Sequence, residues 1–118
     1  MIDLNKLKRI VDIEYGDIVV DSDIYHDKIR IHIFDGSFVD IWFSKKILDR
    51  FSYHWERRHI NGKMYRHDNF PDPRWKGIPT FPKHFHNGSQ NQVQESRIND
   101  NPILGIREFM DFVRSSLK

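Results

Sequence analysis

"KIRIHIFDGSFVDIWF", residues 28–43, is the stretch that decides the fold. Ile29, Ile31 and Ile33 recur every second residue, and the run "SFVDIWF" (37–43) follows after Asp35-Gly36. A period of two marks a strand with one buried face, and an Asp-Gly pair marks a tight connection between antiparallel strands. Two connections are available. A two-residue loop sets Ile31 opposite Asp40. A three-residue loop with a bulge at Gly36 sets Ile31 opposite Val39 and Arg30 opposite Asp40. Opposed charges across a ladder contribute roughly 0.2–1 kcal/mol, so the three-residue loop is expected.

The same reasoning applies to a second hairpin, "FSYHWERR" (51–58) and "KMYRHD" (63–68), joined around Asn61-Gly62. A two-residue loop opposes Arg57 to Arg66 and Trp55 to Asp68. A three-residue loop, Ile60-Asn61-Gly62, opposes Glu56 to Arg66, His54 to Asp68, Trp55 to His67 and Arg57 to Tyr65. The second is the expected register, because it pairs unlike charges. It collects His54, Glu56, Arg66 and Asp68 on one face and turns Phe51, Tyr53 and Trp55 to the other.

Outward from these hairpins, "DLNKLKRIV" (3–11) reads as a short helix capped by Asp3, with Leu4, Leu7 and Val11 on one face. "DIVVDS" (17–22) is a candidate strand. "NFPDPRWKGIP" (69–79) is too rich in proline for a central strand. "GSQNQVQES" (88–96) reads as a polar, mobile loop. The chain closes with a helix capped by Asn101, with Pro102 in its first turn and Ile103, Ile106, Met110, Val113 and Leu117 as its apolar stripe. The expected fold is α+β in one domain, 1–118: a short N-terminal helix, an antiparallel meander of four or five strands, a loop-rich segment, and a C-terminal helix on one sheet face.

Composition narrows the function. The chain has 118 residues, enough for one core, and no cysteine, which excludes a disulfide framework and a thiolate metal site. No run approaches a membrane span and the start "MIDLNKLKRI" lacks a signal peptide's apolar stretch, so a cytoplasmic location is expected. Net charge is +2 but uneven. Residues 1–44 hold five Lys/Arg against nine Asp/Glu, whereas residues 45–86 hold ten against four, with five of the seven histidines. A basic, histidine-rich block suits an anionic partner such as RNA. The same asymmetry also arises when acidic and basic strands lie side by side in one sheet.

The polar face carries the candidate chemistry. A histidine beside a carboxylate has a restrained tautomer and a raised pKa, and an arginine grips a phosphate with two donors. Acid/base groups plus a cation are what phosphodiester cleavage needs. A solvated face with routine ion pairs is the alternative. In "TFPKHFH" (80–86), an extended chain projects His84 and His86 to one side with Pro82, and Phe81, Lys83 and Phe85 to the other; Pro82 favours that form at Phe81. His54, His84 and His86 could in principle hold zinc, but H-x-H is a weak signal, and the site is read as metal-free with no cofactor. Arg74, Trp75 and Lys76 combine charge with a ring on a proline-bounded loop and, with Arg58, Lys63 and Lys83, are the candidate RNA contacts. Trp75 equally suits a loop anchor. His26, His32 and His59 read as structural or exposed, and His67 as a partner stacked on Trp55.

Four motifs in order, "DGSFVDI" (35–41), "FSYHW" (51–55), Arg66 to Asn69 with Pro71, and "TFPKHFH" (80–86), resemble the TumE family over roughly residues 30–116. Its members are toxin components of type II toxin–antitoxin systems in bacteria and archaea. The family pattern runs through a DGS-like turn, YSYHW, R-x-DNAPHH and TFPHHKH to a C-terminal helix similar to "ILGIREFMDFVRSSL" here. His54, Arg66, Asp68, Asn69, His84 and His86 match it. Asp72, Pro73 and Lys83 stand where the pattern has histidines. The resemblance implies a toxin held by a cognate antitoxin, typically a helix-turn-helix protein, and the plan is similar to ribonuclease toxins of the RelE type by analogy of fold alone.

The expected function is therefore an RNA-cleaving or RNA-binding toxin. His54, Arg66, Asp68, His84 and His86 are its catalytic set, with Glu56 and Asn69 in support and Asp68 orienting His54. The alternatives are a non-catalytic module binding RNA or antitoxin, and a metal-dependent hydrolase. RNA, the antitoxin and a second copy in a homodimer are the partners considered, with no membrane.

Overall fold

A computed structural model describes residues 2–117. One antiparallel sheet contains β1 (Val19–Tyr25), β2 (Lys28–Ile33), β3 (Phe38–Phe43), β4 (Phe51–Arg57), β5 (Lys63–Asp68), β6 (His84–Gly88) and β7 (Val93–Glu95) in chain order. Three helices accompany it: α1 (Leu4–Glu14), a single turn α2 (Arg58–Asn61) and α3 (Pro102–Ser116). The α+β plan holds, but the sheet has seven strands rather than four or five. The additional pairing lies at the C-terminal edge. "GSQNQVQES", expected to be a mobile loop, contributes β7, with His86 opposite Val93 and His84 opposite Glu95. An edge strand with one apolar residue carries no period for a sequence reading to detect. The first strand begins at Val19, not Asp17, and runs on to Tyr25.

The first hairpin has the expected register, Arg30 opposite Asp40 and Ile31 opposite Val39. Arg30 Nε and Nη2 grip the Asp40 carboxylate at 2.8 and 2.9 Å. The second does not. His54 faces Arg66, Trp55 faces Tyr65 and Glu56 faces Met64, a slip of two residues from the expected pairing. The reason is local. The connection is the helical turn α2, closed by Gly62 N–H to the Arg58 carbonyl at 3.1 Å, with Gly62 at φ 78°, where a side chain would be strained. Glu56 finds its cation inside that turn, accepting from Arg58 Nη2 at 2.6 Å and from the Arg58 N–H at 2.9 Å. Arg66 is thereby left to other partners.

Both long helices pack on one face of the sheet. Asp3 caps α1 by accepting from Lys6 N–H, and Asn101 caps α3 by accepting from the Ile103 and Leu104 N–H groups. Leu7, Val11, Ile106, Phe109, Met110 and Val113 form one cluster with Ile29, Ile31, Val39, Ile41, Tyr53 and Trp55 from the strands. Each such side chain contributes about 1.5–3 kcal/mol on burial. The closest approach is at Gly105, where a Cβ would lie 2.6 Å from the Asn99 carbonyl oxygen and 3.3 Å from the Tyr53 ring. His67 lies on this covered side. It stacks on Phe85 at 4.2 Å rather than on Trp55, and its Nδ1 meets Ser96 Oγ at 2.7 Å.

Candidate functional site

Strand alternation puts His54 of β4, Arg66 and Asp68 of β5, and His84 and His86 of β6 on the opposite face, in neighbouring ladder positions. Arg66 pairs with His86 across β5–β6 and Asp68 with His84. The segment between β5 and β6 folds back over them. Asp72 caps a short 3₁₀ turn, Pro73–Trp75, and the Trp75 ring lies 6.3 Å from both the His84 and His86 rings. Residues 80–83 are not extended, contrary to expectation. They turn, with Lys83 N–H on the Thr80 carbonyl at 2.9 Å around a cis Phe81–Pro82 bond, and the strand starts only at His84.

A pocket of about 360 Å³ results, lined by Arg66, Asp68, Phe70, Asp72, Arg74, Trp75, His84, His86, Gln90 and Asn91. At its floor Asp68, His84 and His86 are 3%, 2% and 4% exposed, so their partners are protein atoms. His84 Nδ1 lies 2.8 Å from the Pro82 carbonyl and His86 Nδ1 lies 3.1 Å from the Gln90 carbonyl. A carbonyl only accepts, so both Nδ1 atoms carry protons and both Nε2 atoms face inward. His84 Nε2 is 3.2 Å from Asp68 Oδ1, and His86 Nε2 is 3.6 Å from Asp68 Oδ2.

Arg66 organises the rest. It donates from Nε to Asp68 Oδ2 at 2.9 Å and from Nη2 to Gln90 Oε1 at 2.7 Å, and its Nη2 and Nη1 reach His86 Nε2 at 3.2 Å and His54 Nδ1 at 3.4 Å. A guanidinium only donates, so His86 Nε2 and His54 Nδ1 are acceptors. His54 then carries its proton on Nε2 and gives it to Glu56 Oε1 at 3.0 Å.

These contacts revise the expected pairing. Asp68 orients His84 and His86, not His54, whose carboxylate is Glu56. The His54 pKa is lowered rather than raised, because burial disfavours the charged ring and the Arg66 charge adds to this against the Glu56 hydrogen bond. Glu56 is held down to about 2, chiefly by Arg58. Burial pushes Asp68 upward, but the adjoining His86 ring, hydrogen bonds from the Phe70 N–H and Arg66, and the neighbouring His84 ring leave its pKa below the ordinary carboxylate value.

The remaining sequence-predicted residues divide clearly. Arg74 and Trp75 line the pocket, with Arg74 Nη2 on Asp72 at 2.6 Å. Lys76 is exposed beyond the lining. Arg58 is engaged by Glu56, and Lys63 ladders with Arg57 on the helix side of the sheet. Lys83 is tied to the Ile98 carbonyl at 2.6 Å and to Asp100 at 3.0 Å, outside the lining. Asn69 is a staple, accepting from Phe51 N–H and donating to the Asp49 carbonyl. Gln90 and Asn91, from the stretch read as a mobile loop, close the pocket and were missed. Asp72, which the sequence marks only as a departure from the family pattern, also lines the pocket.

Among the described residues, no helix is long and apolar enough to cross a membrane. No curated protein and no solved structure matches the chain. The family model described as Toxin TumE matches residues 4–117, nearly the whole length and more than the motif span alone suggested. The chain therefore belongs to the TumE toxin family.

Proposed function

We propose that this toxin cleaves RNA in the pocket between β5, β6 and the 70–75 segment, transferring protons between two histidines. The observation that carries the reading is the pair of imidazoles whose Nδ1 atoms are fixed by backbone carbonyls, leaving His86 Nε2 beside the Arg66 guanidinium and His84 Nε2 beside Asp68 in one cleft. His86, whose Nε2 is an acceptor, takes the proton of a ribose 2′-hydroxyl. The oxygen then attacks the adjacent phosphorus. His84, held against Asp68, protonates the departing 5′-oxygen. Arg66 stabilises the phosphorane charge, and Arg74 at the mouth attracts the phosphate. Asp68 keeps the His84 ring oriented, and Trp75 offers a face for a base. A cognate helix-turn-helix antitoxin would silence the toxin by covering this face.

The test is incubation of purified protein with RNA in chelator. Expected products carry 2′,3′-cyclic phosphate and 5′-hydroxyl ends, a 2′-deoxy substitution at the cleaved position blocks reaction, and His84→Ala or His86→Ala abolishes it. Cleavage unchanged in both variants refutes the assignment. A second reading, binding of RNA without turnover, is favoured by one observation: Asp72, at a family histidine position, occupies the mouth and ties up Arg74. Salt-sensitive RNA binding with no cleavage would identify it.

A further inference from the structure

We propose that Asp68, His84 and His86 form a binding site for one divalent transition-metal ion of the zinc class. The metal ligands would be His84 Nε2, His86 Nε2 and an Asp68 carboxylate oxygen. Three observations converge. One ligand atom from each residue lies within 4.8 Å of the other two. His84 Nε2 lies 3.2 Å from Asp68 Oδ1 and His86 Nε2 lies 3.6 Å from Asp68 Oδ2, each near the roughly 3.4 Å ligand–ligand separation of a tetrahedral site with bonds of about 2.1 Å, so a small turn of the carboxylate brings one oxygen into the set. Each ring donates its Nδ1–H to a backbone carbonyl, the outer contact that fixes a metal-binding imidazole with its other nitrogen free.

The charge pattern also calls for a cation. His84 Nε2 faces Asp68 Oδ1 at 3.2 Å, and with Nδ1 already protonated toward Pro82, two lone pairs would meet there unless a proton or a metal ion lies between. Two imidazoles and one carboxylate are a donor set for zinc-class ions, and three ligands leave a coordination position open toward the pocket. Rigidity comes from the sheet, since all three residues sit on adjacent, paired strands and are nearly fully buried. The obstacle is Arg66, whose guanidinium contacts both Asp68 and His86. It has Gln90 and His54 as other partners, and it is the group an incoming ion must displace from His86.

The site carries a consequence that rests on the proposed function. An ion bound through both Nε2 atoms removes the base and the acid together, so metal loading silences metal-free cleavage. The experiment titrates chelator-stripped protein with Zn²⁺ by calorimetry and with Co²⁺ by visible absorption. One equivalent is expected, with a Co²⁺ band of low coordination number. His84→Ala and His86→Ala each weaken binding by at least about tenfold, the scale on which even outer partners of a metal act. His32→Gln leaves binding unchanged. Arg66→Gln tightens binding, since it removes a competing cation, and this opposite sign distinguishes ligation from a variant that merely unfolds. No binding, or binding indifferent to both histidine variants and to Arg66→Gln, overturns the site and leaves cleavage in chelator as it was. Cleavage that requires the ion leaves the site standing and overturns the metal-free proton transfer instead.

Discussion

His67 makes the stability of this protein pH-dependent between about pH 4 and 6.5. It lies on the helix side, stacked on Phe85 and edge-on to Phe109, and hydrogen-bonded to Ser96. Burial, with the Lys83 charge second, lowers its pKa from 6.5 to about 4, against the weaker pull of Asp68. A lowered histidine pKa means that the unfolded chain binds the proton more tightly than the folded one. The contribution is therefore intact above pH 6.5 and is lost as pH falls toward 4. A shift of this size corresponds to a total loss on the order of 3 kcal/mol, of which about 2 kcal/mol is gone by pH 5. The perturbation is His67→Gln, which retains a polar contact for Ser96 and cannot titrate. Urea unfolding followed by tryptophan fluorescence at pH 7 and pH 5 provides the readout. With a urea slope of about 1–3 kcal/mol per molar, the wild-type midpoint should fall by about 1 M more than that of the variant. His54 also has a lowered pKa, but it is present in both proteins and cancels in the comparison. Equal losses in wild type and variant would refute the reasoning.

Two further outcomes follow from packing and from the pocket. Gly105→Ala places a methyl 2.6 Å from the Asn99 carbonyl, a backbone atom that cannot swing aside, so α3 must shift. The expected cost is about 1–3 kcal/mol, read as a lower denaturation midpoint with an unchanged slope. Trp75→Ala removes the ring beside His84 and His86 and should weaken single-stranded RNA binding by about 1–3 kcal/mol, measured by fluorescence anisotropy with the fold checked by circular dichroism. Unchanged affinity there would make Trp75 a loop anchor only.

How much of this site was legible depends on parity rather than on register. The first hairpin was readable because Arg30 sits directly opposite Asp40 and grips it with two donors, while the other cation nearby, Lys28, reaches Asp40 only at 3.4 Å and does not pull the register. The second was not, because Arg58, inside the connection itself, outcompeted Arg66 for Glu56, and a turn of helix absorbed the residues assigned to a bulge. That error was two residues, and side chains on a strand repeat every two, so every residue stayed on its face. His54, Arg66 and Asp68 were therefore grouped correctly while their partners were exchanged. The slip moved Asp68 one pair along the ladder, opposite Ser52, and freed its carboxylate for β6. No charge rule applied within β4 and β5 could find that, since the partners of Asp68 lie 16 and 18 residues away across a proline-rich crossover. The lining from Gln90 and Asn91 was hidden for a different reason. Their stretch is polar apart from Val93, and its order comes from the ladder to β6 and from the His86 and Arg66 contacts to Gln90, not from any apolar face. A pocket assembled from one strand register, one crossover and one polar edge is thus readable from sequence only as far as its faces. The chemistry depends on which nitrogen of each ring faces inward, and the backbone carbonyls of Pro82 and Gln90 decide that.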